Sequence, residues 1–271
     1  MKKNLFSTGK ISGIVYSHLE TQHTIGEQFI GEHGMCYIIS GNLMVLDAGE
    51  SKVFGAGSLL FFRKNFLAKF TKQPFENLSF RSITVIFEEA ILQEFSKQYD
   101  ITYQQPYIMT NAVLYLEQNI LLENFYNTLA PYFSSSLPEQ LINLKRQEVL
   151  MLLMQVNPDL KNILFDFSQP GKIDLEAFMM QNFRFNVNLK RFAFLTGRSL
   201  AAFKRDFEKI FHLSPSRWLL RKRLEEAHYL ISEKNKRPSD IYQELGFETI
   251  SHFSYSFKQY FGVNPSSIQV F

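Results

Sequence analysis

The sequence predicts an α+β protein of two domains, in which a small β-barrel with flanking helices is followed by an all-helical domain. Between residues 33 and 87, short apolar and aromatic runs alternate with turns containing Gly, Asn and Asp, which is typical of a barrel or sandwich. From residue 88 onward, apolar residues recur at helical spacing. Near the C-terminus a degenerate sequence occurs twice, with an offset of fifty residues. The 271 residues suffice for a sizeable core in each domain.

The elements of the first domain follow from these runs. Strands are predicted at residues 35–40, 43–46, 52–54, 58–62, 67–71 and 80–87, and helices at 88–98, 111–126 and 138–155. The last helix is too apolar to be exposed to solvent, so it either forms a dimer contact or is buried within its own domain. We predict a first domain at 1–160, a linker at 161–173 and a second domain at 174–271. Because the linker keeps Leu164, Phe165 and Phe167, we expect it to be docked and not free.

Composition and charge exclude several classes of protein. Apolar runs stay well short of the roughly 18–20 residues of a membrane-spanning helix, and the N-terminus is unlike a signal peptide. The sole cysteine, Cys36, excludes an intramolecular disulfide and a Cys-rich zinc site and fits a reducing cytoplasm. Residues 172–271 carry 16 Lys and Arg against 10 Asp and Glu, a balance of +6, while the first 171 carry 13 against 16, a balance of −3. This asymmetry predicts a basic domain that faces a polyanion, with ordinary solvated charge as the alternative.

The repeat covers residues 195–215 and 244–265. Each copy predicts a short helix, a tight turn at a Gly, a capped second helix and a stop. This is a helix-turn-helix occurring twice, and two such units side by side indicate binding to DNA. The shared positions are Phe203, Phe207, Phe211 and Pro215 in the first copy, and Phe253, Phe257, Phe261 and Pro265 in the second.

Polar caps and prolines predict where the helices of the second domain begin. Helices are predicted behind Asp174 (175–181), Asn188 (189–195) and Ser199 (to 211), at Pro215 and Ser216 (to about 232), near Pro238 (to 245–246) and behind Thr249 (to 261). The long helix of about 17 residues would span roughly 25 Å. Such a spacer can place two recognition helices about one DNA turn, roughly 34 Å, apart.

In each second helix of the repeat, the three Phe residues lie on one side and are expected to face the core. The residues on the opposite side are the candidate DNA contacts. In the first unit, Ala201 and Ala202 would let the backbone approach a groove, while basic side chains reach bases or phosphates. In the second unit, Thr249 and Ser251 suit phosphate contacts, and His252 is better explained as a hydrogen-bonding or stacking residue than as a metal ligand. The predicted contacts of the two units are Arg198, Ser199, Ala201, Ala202, Lys204, Arg205 and Lys209, then Thr249, Ser251, His252 and Tyr255.

Basic residues on or near the long helix are candidate phosphate contacts. They are Arg217, Arg221, Lys222 and Arg223, together with Lys258 on the flank of the last helix. The alternative is a solvated face whose cations pair with Glu225 and Glu226. Trp218, in SPSRWLLRKRLEEA, is better placed in a core or helix junction than in base stacking.

These features together resemble the AraC/XylS family of bacterial transcription regulators. The resemblance covers residues 174–271 and is carried by LTGRS, HLSPSRW, RLEEAHYLI and IYQELGFETISHFSYSFKQYFGVNP. It implies that two subdomains joined by the long helix insert their second helices into adjacent major-groove segments. By position, the base-facing residues would be Ala201, Lys204 and Arg205, then Ile250, Ser251, His252 and Tyr255, although the helical wheel assigns Ile250 to packing. The chain departs from the family at Phe211-His212, where Phe followed by Gly is usual.

The first half resembles, more loosely, the cupin-like sensor or dimerisation domains of this family. EHGMCYIISGNLMVLDAG and GAGSLLFFRKN predict two barrel hairpins. His33 stands alone among these strands, so a metal-dependent cupin enzyme is disfavoured, and we predict no metal, no cofactor and no catalytic residue. Phe66 and Phe70 could line a pocket, but a packed core explains them better.

The resemblance implies a cytoplasmic, sequence-specific transcription regulator, and an activator in preference to a repressor. Its partners would be double-stranded DNA, RNA polymerase, a second copy through the N-terminal domain, and a small effector or a regulatory protein. No membrane partner is expected. The alternative is an interaction module whose N-terminal domain mainly binds another protein or dimerises. A cupin-type enzyme is a remote third. The effector and its site are not indicated by the sequence.

Overall fold

The chain forms two compact units in the structure, a computed structural model that describes residues 6–11, 13–24, 28–47, 49–103, 111–134 and 138–268. The first unit comprises residues 1–26 and 30–168, and the second comprises residues 27–29 and 169–271. The first unit thus continues past residue 160, where the sequence places the domain end, because Ile163, Leu164 and Phe165 are buried in its core. In the part of the chain that is described, no helix is long and apolar enough to cross a membrane.

Two antiparallel sheets form most of the first unit. Its strands are β1 (Phe6–Ile11), β2 (Ile14–Leu19), β3 (His23–Thr24), β4 (Phe29–Ile30), β5 (His33–Ser40), β6 (Asn42–Asp47), β7 (Glu50–Phe54), β8 (Leu59–Phe62), β9 (Phe66–Leu67), β10 (Lys69–Gln73), β11 (Phe80–Phe87) and β12 (Val113–Leu116). The larger sheet has the order β1-β2-β11-β5-β8-β12, and the smaller has the order β3-β10-β6-β7.

The larger sheet is covered on both faces. Successive side chains of a strand point to opposite faces, and β5 shows the consequence. Met35 joins a core with the helices α1 (Glu89–Tyr99), α2 (Ile120–Leu129), α3 (Glu139–Val156) and α4 (Lys161–Leu164), while Cys36 and Ile38 join a core with the smaller sheet. Short 3₁₀ segments at 130–134 and 158–160 precede α3 and α4.

The strands predicted at 35–40, 43–46, 52–54, 58–62 and 80–87 are confirmed, whereas the strand predicted at 67–71 is divided between β9 and β10. The strands β1 to β4 were not predicted, and the helix predicted at 111–126 is wrong in its first half. Residues 113–116 form β12, which pairs with β8 so that Val113 lies opposite Phe62 and Leu116 opposite Leu59. The helix begins only at Ile120. The error has a physical cause, because four apolar residues in a row fit a strand and a helix equally well.

The second unit is helical in its described residues. Its helices are α5 (Leu175–Asn182), α6 (Leu189–Leu195), α7 (Leu200–Phe211), α8 (Pro215–Ser232), α9 (Pro238–Ile241) and α10 (Ile250–Phe261). The side chains of Asp174, Asn188, Ser199 and Thr249 each accept a hydrogen bond from a first-turn amide, so the predicted caps are confirmed. The helix predicted from 238 to 245 is shorter, since it ends at Ile241 and residues 242–246 form turns.

In both copies of the repeat, the Phe side chains of the second helix pack against one another in the same way. We call these two sets, Phe203, Phe207 and Phe211 on α7 and Phe253, Phe257 and Phe261 on α10, the Phe ladders. Ring centroids of Phe203 and Phe207 lie 5.5 Å apart, and those of Phe253 and Phe257 lie 5.7 Å apart. Trp218 is buried and its ring lies 5.5 Å from that of Phe207, which confirms its place in a core. The first two Phe rings of each ladder are fully buried, so each ladder anchors one second helix of a helix-turn-helix unit.

Candidate nucleic-acid interface

One face of α7 is free of the core. Phe203 and Phe207 are buried, and the residues exposed on the other side are Ala201, Lys204, Arg205, Glu208 and Lys209. The Arg205 side chain is 77% exposed, with its guanidinium only 3.4 Å from an oxygen of Asp206. Ala202 is partly buried. Among these exposed residues, Ala201, Lys204 and Arg205 are spaced so that they project from one side of the helix.

The Arg198 side chain is buried and hydrogen-bonded within the second unit, which contradicts its prediction as a DNA contact. Its side chain is only 8% exposed. Its guanidinium donates to the carbonyl oxygens of Thr196 (2.7 Å) and Ile173 (3.0 Å) and to Asp206 on α7 (3.2 Å). The bond from Arg198 is the main cause that lowers the pKa of the Asp206 carboxyl below its usual value. Arg198 thus fastens the segment before α5 and the helix α7 to the helix-turn-helix turn.

The exposed face of α10 carries polar and aromatic groups. Ser251, His252 and Tyr255 are exposed, and Tyr255 is 67% exposed. Ile250 is 43% exposed, so its assignment to packing by the helical wheel is wrong. The His252 ring lies edge-on to Phe247 at 5.7 Å, which holds it at the start of the helix. The Thr249 hydroxyl accepts from the His252 amide (3.2 Å), so its oxygen is engaged as a cap.

The cations of α8 fall into two groups. Arg217 is exposed, and Arg221 is exposed but bonded to Glu225 at 2.7 Å, a bond that raises the pKa of Arg221 above its usual value. Arg223 is partly buried and bonded to backbone carbonyls on both sides of α8, which contradicts its prediction as a phosphate contact. Lys222 lies over the Phe183 ring at 6.0 Å. Arg221 is thus a solvent-exposed cation paired with a glutamate, as the alternative to a phosphate contact predicted. Arg217 is exposed and remains a candidate phosphate contact.

Comparison with known proteins agrees with this geometry. Residues 33–163 match a family described as the ExsA N-terminal regulatory domain, and residues 192–269 match a helix-turn-helix domain family. Together the two matches support the resemblance to the AraC/XylS family of transcription regulators. The thermoregulatory protein LcrF of Yersinia pestis is 26% identical over 249 residues, which are 88% of this chain and 89% of that protein. The HTH-type transcriptional regulator ExsA of Pseudomonas aeruginosa is 26% identical over 239 residues, 87% of this chain and 85% of that protein.

Two solved structures also align with parts or most of the chain at low sequence identity. ToxT from Vibrio cholerae, in its apo form, aligns over 94% of this chain and 96% of its own with a TM-score of 0.44 and 14% identity. The DNA-binding domain of AdpA in complex with a target DNA aligns over 34% of this chain and 84% of its own, with a TM-score of 0.33 and 18% identity.

Sequence reasoning overlooked Glu208 in this AraC/XylS-type domain. It is exposed on α7, four residues after Lys204 and three after Arg205, which places it on the same face. A carboxylate there can accept a hydrogen bond from the N4 amino group of cytosine, whereas it repels phosphate. The signal that would have found it is the i, i+3, i+4 spacing, which a search restricted to basic residues misses.

His33, the histidine that stands alone among the predicted strands, is buried in the N-terminal unit. Within the described residues, no group of three or more His, Cys, Asp and Glu side chains is placed to hold a metal ion. His33 is buried, its Nδ1 accepts from the Lys64 amide at 3.2 Å, and burial lowers its pKa to about 3. Phe70 is buried and Phe66 packs against the same core, as expected for packed residues.

Proposed function

We propose that this regulator binds double-stranded DNA in the cytoplasm by inserting α7 and α10 into adjacent major-groove segments. The observation that carries the proposal is the pair of equivalent Phe ladders, which bury one side of each helix and leave the opposite side exposed. The residues proposed to contact bases are Ala201, Lys204, Arg205, Ile250, Ser251, His252 and Tyr255. Lys209, Arg217 and Lys258 are exposed and suit phosphates, as do the N-terminal ends of α7 and α10 at Ser199 and Thr249.

The N-terminal unit is proposed to control DNA binding and transcription activation. The match of residues 33–163 to a regulatory domain supports this role, and a relative in Yersinia enterocolitica is named a transcriptional activator. We propose that RNA polymerase is a partner, and that the unit also forms a homodimer. Leu144 and Met151 support the dimer, because both are exposed on α3 and lie seven residues apart, on one side of the helix.

Two kinds of signal are compatible with such a unit, a small effector or a regulatory protein. A ligand that binds only the folded state raises the melting temperature. Stabilisation of the whole chain by one member of a metabolite panel would support an effector, and stabilisation by none would support a protein partner.

Selection of bound sites from a random duplex pool tests the DNA proposal. We expect an enriched site with two short conserved segments about one helical turn apart. The variant Lys204→Glu/Arg205→Glu changes only exposed side chains and should lose that enrichment. The matched control Lys234→Glu/Lys236→Glu makes the same charge change at exposed positions outside α7 and α10 and should keep it. Absence of binding by the unmodified chain at low salt would overturn the proposal.

A further inference from the structure

The Arg223 side chain links the two helix-turn-helix units by donating hydrogen bonds to backbone carbonyl oxygens of both. Its Nε donates to the carbonyl oxygen of Phe183 (2.8 Å) and its Nη2 to that of Phe185 (2.9 Å), both in the loop that precedes α6. Its Nη1 donates to the carbonyl oxygen of Gly246 (3.2 Å), in the turn that precedes α10. The guanidinium therefore spans two segments that are remote in sequence, and each of its three nitrogens contributes a bond.

Gly246 shows how closely these segments approach each other. Its φ is +82°, and a Cβ on it would lie 2.6 Å from the carbonyl oxygen of Arg184 and 2.9 Å from Cζ of Arg223. A side chain at this position would push the turn away from the loop and from the guanidinium. The contact between the turn at Gly246, the loop before α6 and the Arg223 guanidinium therefore requires a residue without a side chain at position 246.

Two flanking bonds strengthen the same junction. Arg184 is paired with Glu226 on α8, and the side-chain amide of Asn186 donates to Glu248 at 3.1 Å. Glu248 immediately precedes Thr249, the residue that caps α10. The loop before α6 is therefore bonded both to α8 and to the residues that determine where α10 begins.

The charge of Arg223 is balanced by carbonyl dipoles. Burial lowers its pKa to about 10, so the guanidinium remains protonated at neutral pH. Arg is suited to this place because its planar group holds several donors in fixed directions, whereas the Lys ammonium is a point charge. A Lys at this position could keep one of the bonds but would not span both segments.

We propose, on the basis of the function proposed above, that Arg223 is a positioning residue that fixes α10 relative to α7 and thereby sets the spacing of the two DNA segments the protein recognises. Without this junction, α10 and α7 are connected through their packing on α8, where Phe253 and Phe257 share a core with Leu224 and Phe207 lies against Trp218. Their relative orientation is then less constrained, because the loop before α6 and the turn before α10 lose the guanidinium that links them. Arg223 then acts on spacing without touching DNA.

A spacing series tests the role of Arg223. The probe is the duplex selected by the unmodified full-length chain, with one or two base pairs inserted or removed between its segments. For the unmodified chain, we expect each shift to lower affinity by about tenfold or more, the scale of a lost base contact. Arg223→Met should bind the selected duplex more weakly than the unmodified chain does. Its affinity for the shifted duplexes should be less than about threefold lower than its own affinity for the selected duplex. Arg223→Lys should fall between the two.

Arg221→Met is the matched control, because Arg221 lies on the same helix but is exposed and paired with Glu225. It should keep the spacing profile of the unmodified chain. If Arg223→Met or, where that variant does not fold by circular dichroism, Arg223→Lys keeps the unmodified profile, the positioning role is wrong. An unmodified chain that tolerates every spacing would instead overturn two-segment recognition itself, and with it the positioning role.

Discussion

The arginines of the second unit illustrate how one residue type serves opposite purposes. Arg205 and Arg198 are only seven residues apart, but the first is 77% exposed and the second 8% exposed. A guanidinium can bind phosphate, guanine or a backbone carbonyl, and only its surroundings decide which. The helical wheel placed both on the outer side of α7, because it could not show that Arg198, in the turn before the helix, bends back and donates to the carbonyl oxygen of Ile173.

Arg205 has the accessibility that base recognition requires. We expect Arg205→Ala to weaken binding to the selected site by about 1–3 kcal/mol and to relax preference at one base position. Arg237→Ala is the control, because Arg237 is also a highly exposed arginine (80%) paired with an aspartate, but it lies outside α7 and α10. Titration of both variants on specific and random duplexes measures the effect. Equal losses on the two duplexes would make Arg205 a phosphate contact.

Individual elements were predictable where a local signal decides them. The caps at Asp174, Asn188, Ser199 and Thr249 set helix starts through bonds within four residues, so the sequence alone located them. Residues 113–116 became a strand because β8 offers them a partner, and the paired residues lie 51 to 57 positions apart in the sequence. The junction at Arg223 was missed for the same reason, since its acceptors come from two distant segments.

The end of α7 differs from the end of α10 in one residue. His212 has a φ of 54° and Gly262 a φ of 79°, so both close their helices in the left-handed region, which disfavours a side chain. His212 is exposed, and its amide bonds to the Glu208 carbonyl as that of Gly262 does to Lys258. We therefore expect His212→Gly to raise the free energy of unfolding by about 0.5–1 kcal/mol, measured by denaturant titration.

Gly262→Ala provides the opposite change. A Cβ at Gly262 meets no atom within 4 Å, so the substitution tests backbone conformation alone. It should lower the free energy of unfolding by about 1 kcal/mol. A His212→Gly variant that is less stable than the unmodified chain would show that the imidazole contributes a contact that outweighs the backbone strain.

At the scale of the whole molecule, the two units differ in net charge: residues 172–271 have a balance of +6 and residues 1–171 a balance of −3. The balance of +6 in residues 172–271 arises although Arg198, Arg221 and Arg223 are bonded within the protein. Exposed cations lie on α7, at the start of α8 and on α10, and others, such as Lys190, Lys234 and Lys236, lie outside these elements. A basic unit of this kind attracts DNA of any sequence, and the differing exposed faces of α7 and α10 then select the site.

Salt should therefore weaken binding strongly. The exposed cations proposed to contact phosphates are Lys209, Arg217 and Lys258. If each neutralises one phosphate, log affinity should fall with log salt concentration with a slope of about −2.7, since each contact contributes roughly 0.9. Lys209→Ala should reduce that slope by about one, whereas Lys236→Ala, an exposed control outside the recognition helices, should leave it unchanged. Fluorescence anisotropy on a labelled duplex between 50 and 200 mM salt, a range of about fourfold, measures the slope. A slope near zero would mean that these cations do not neutralise phosphates and that the excess charge serves another purpose.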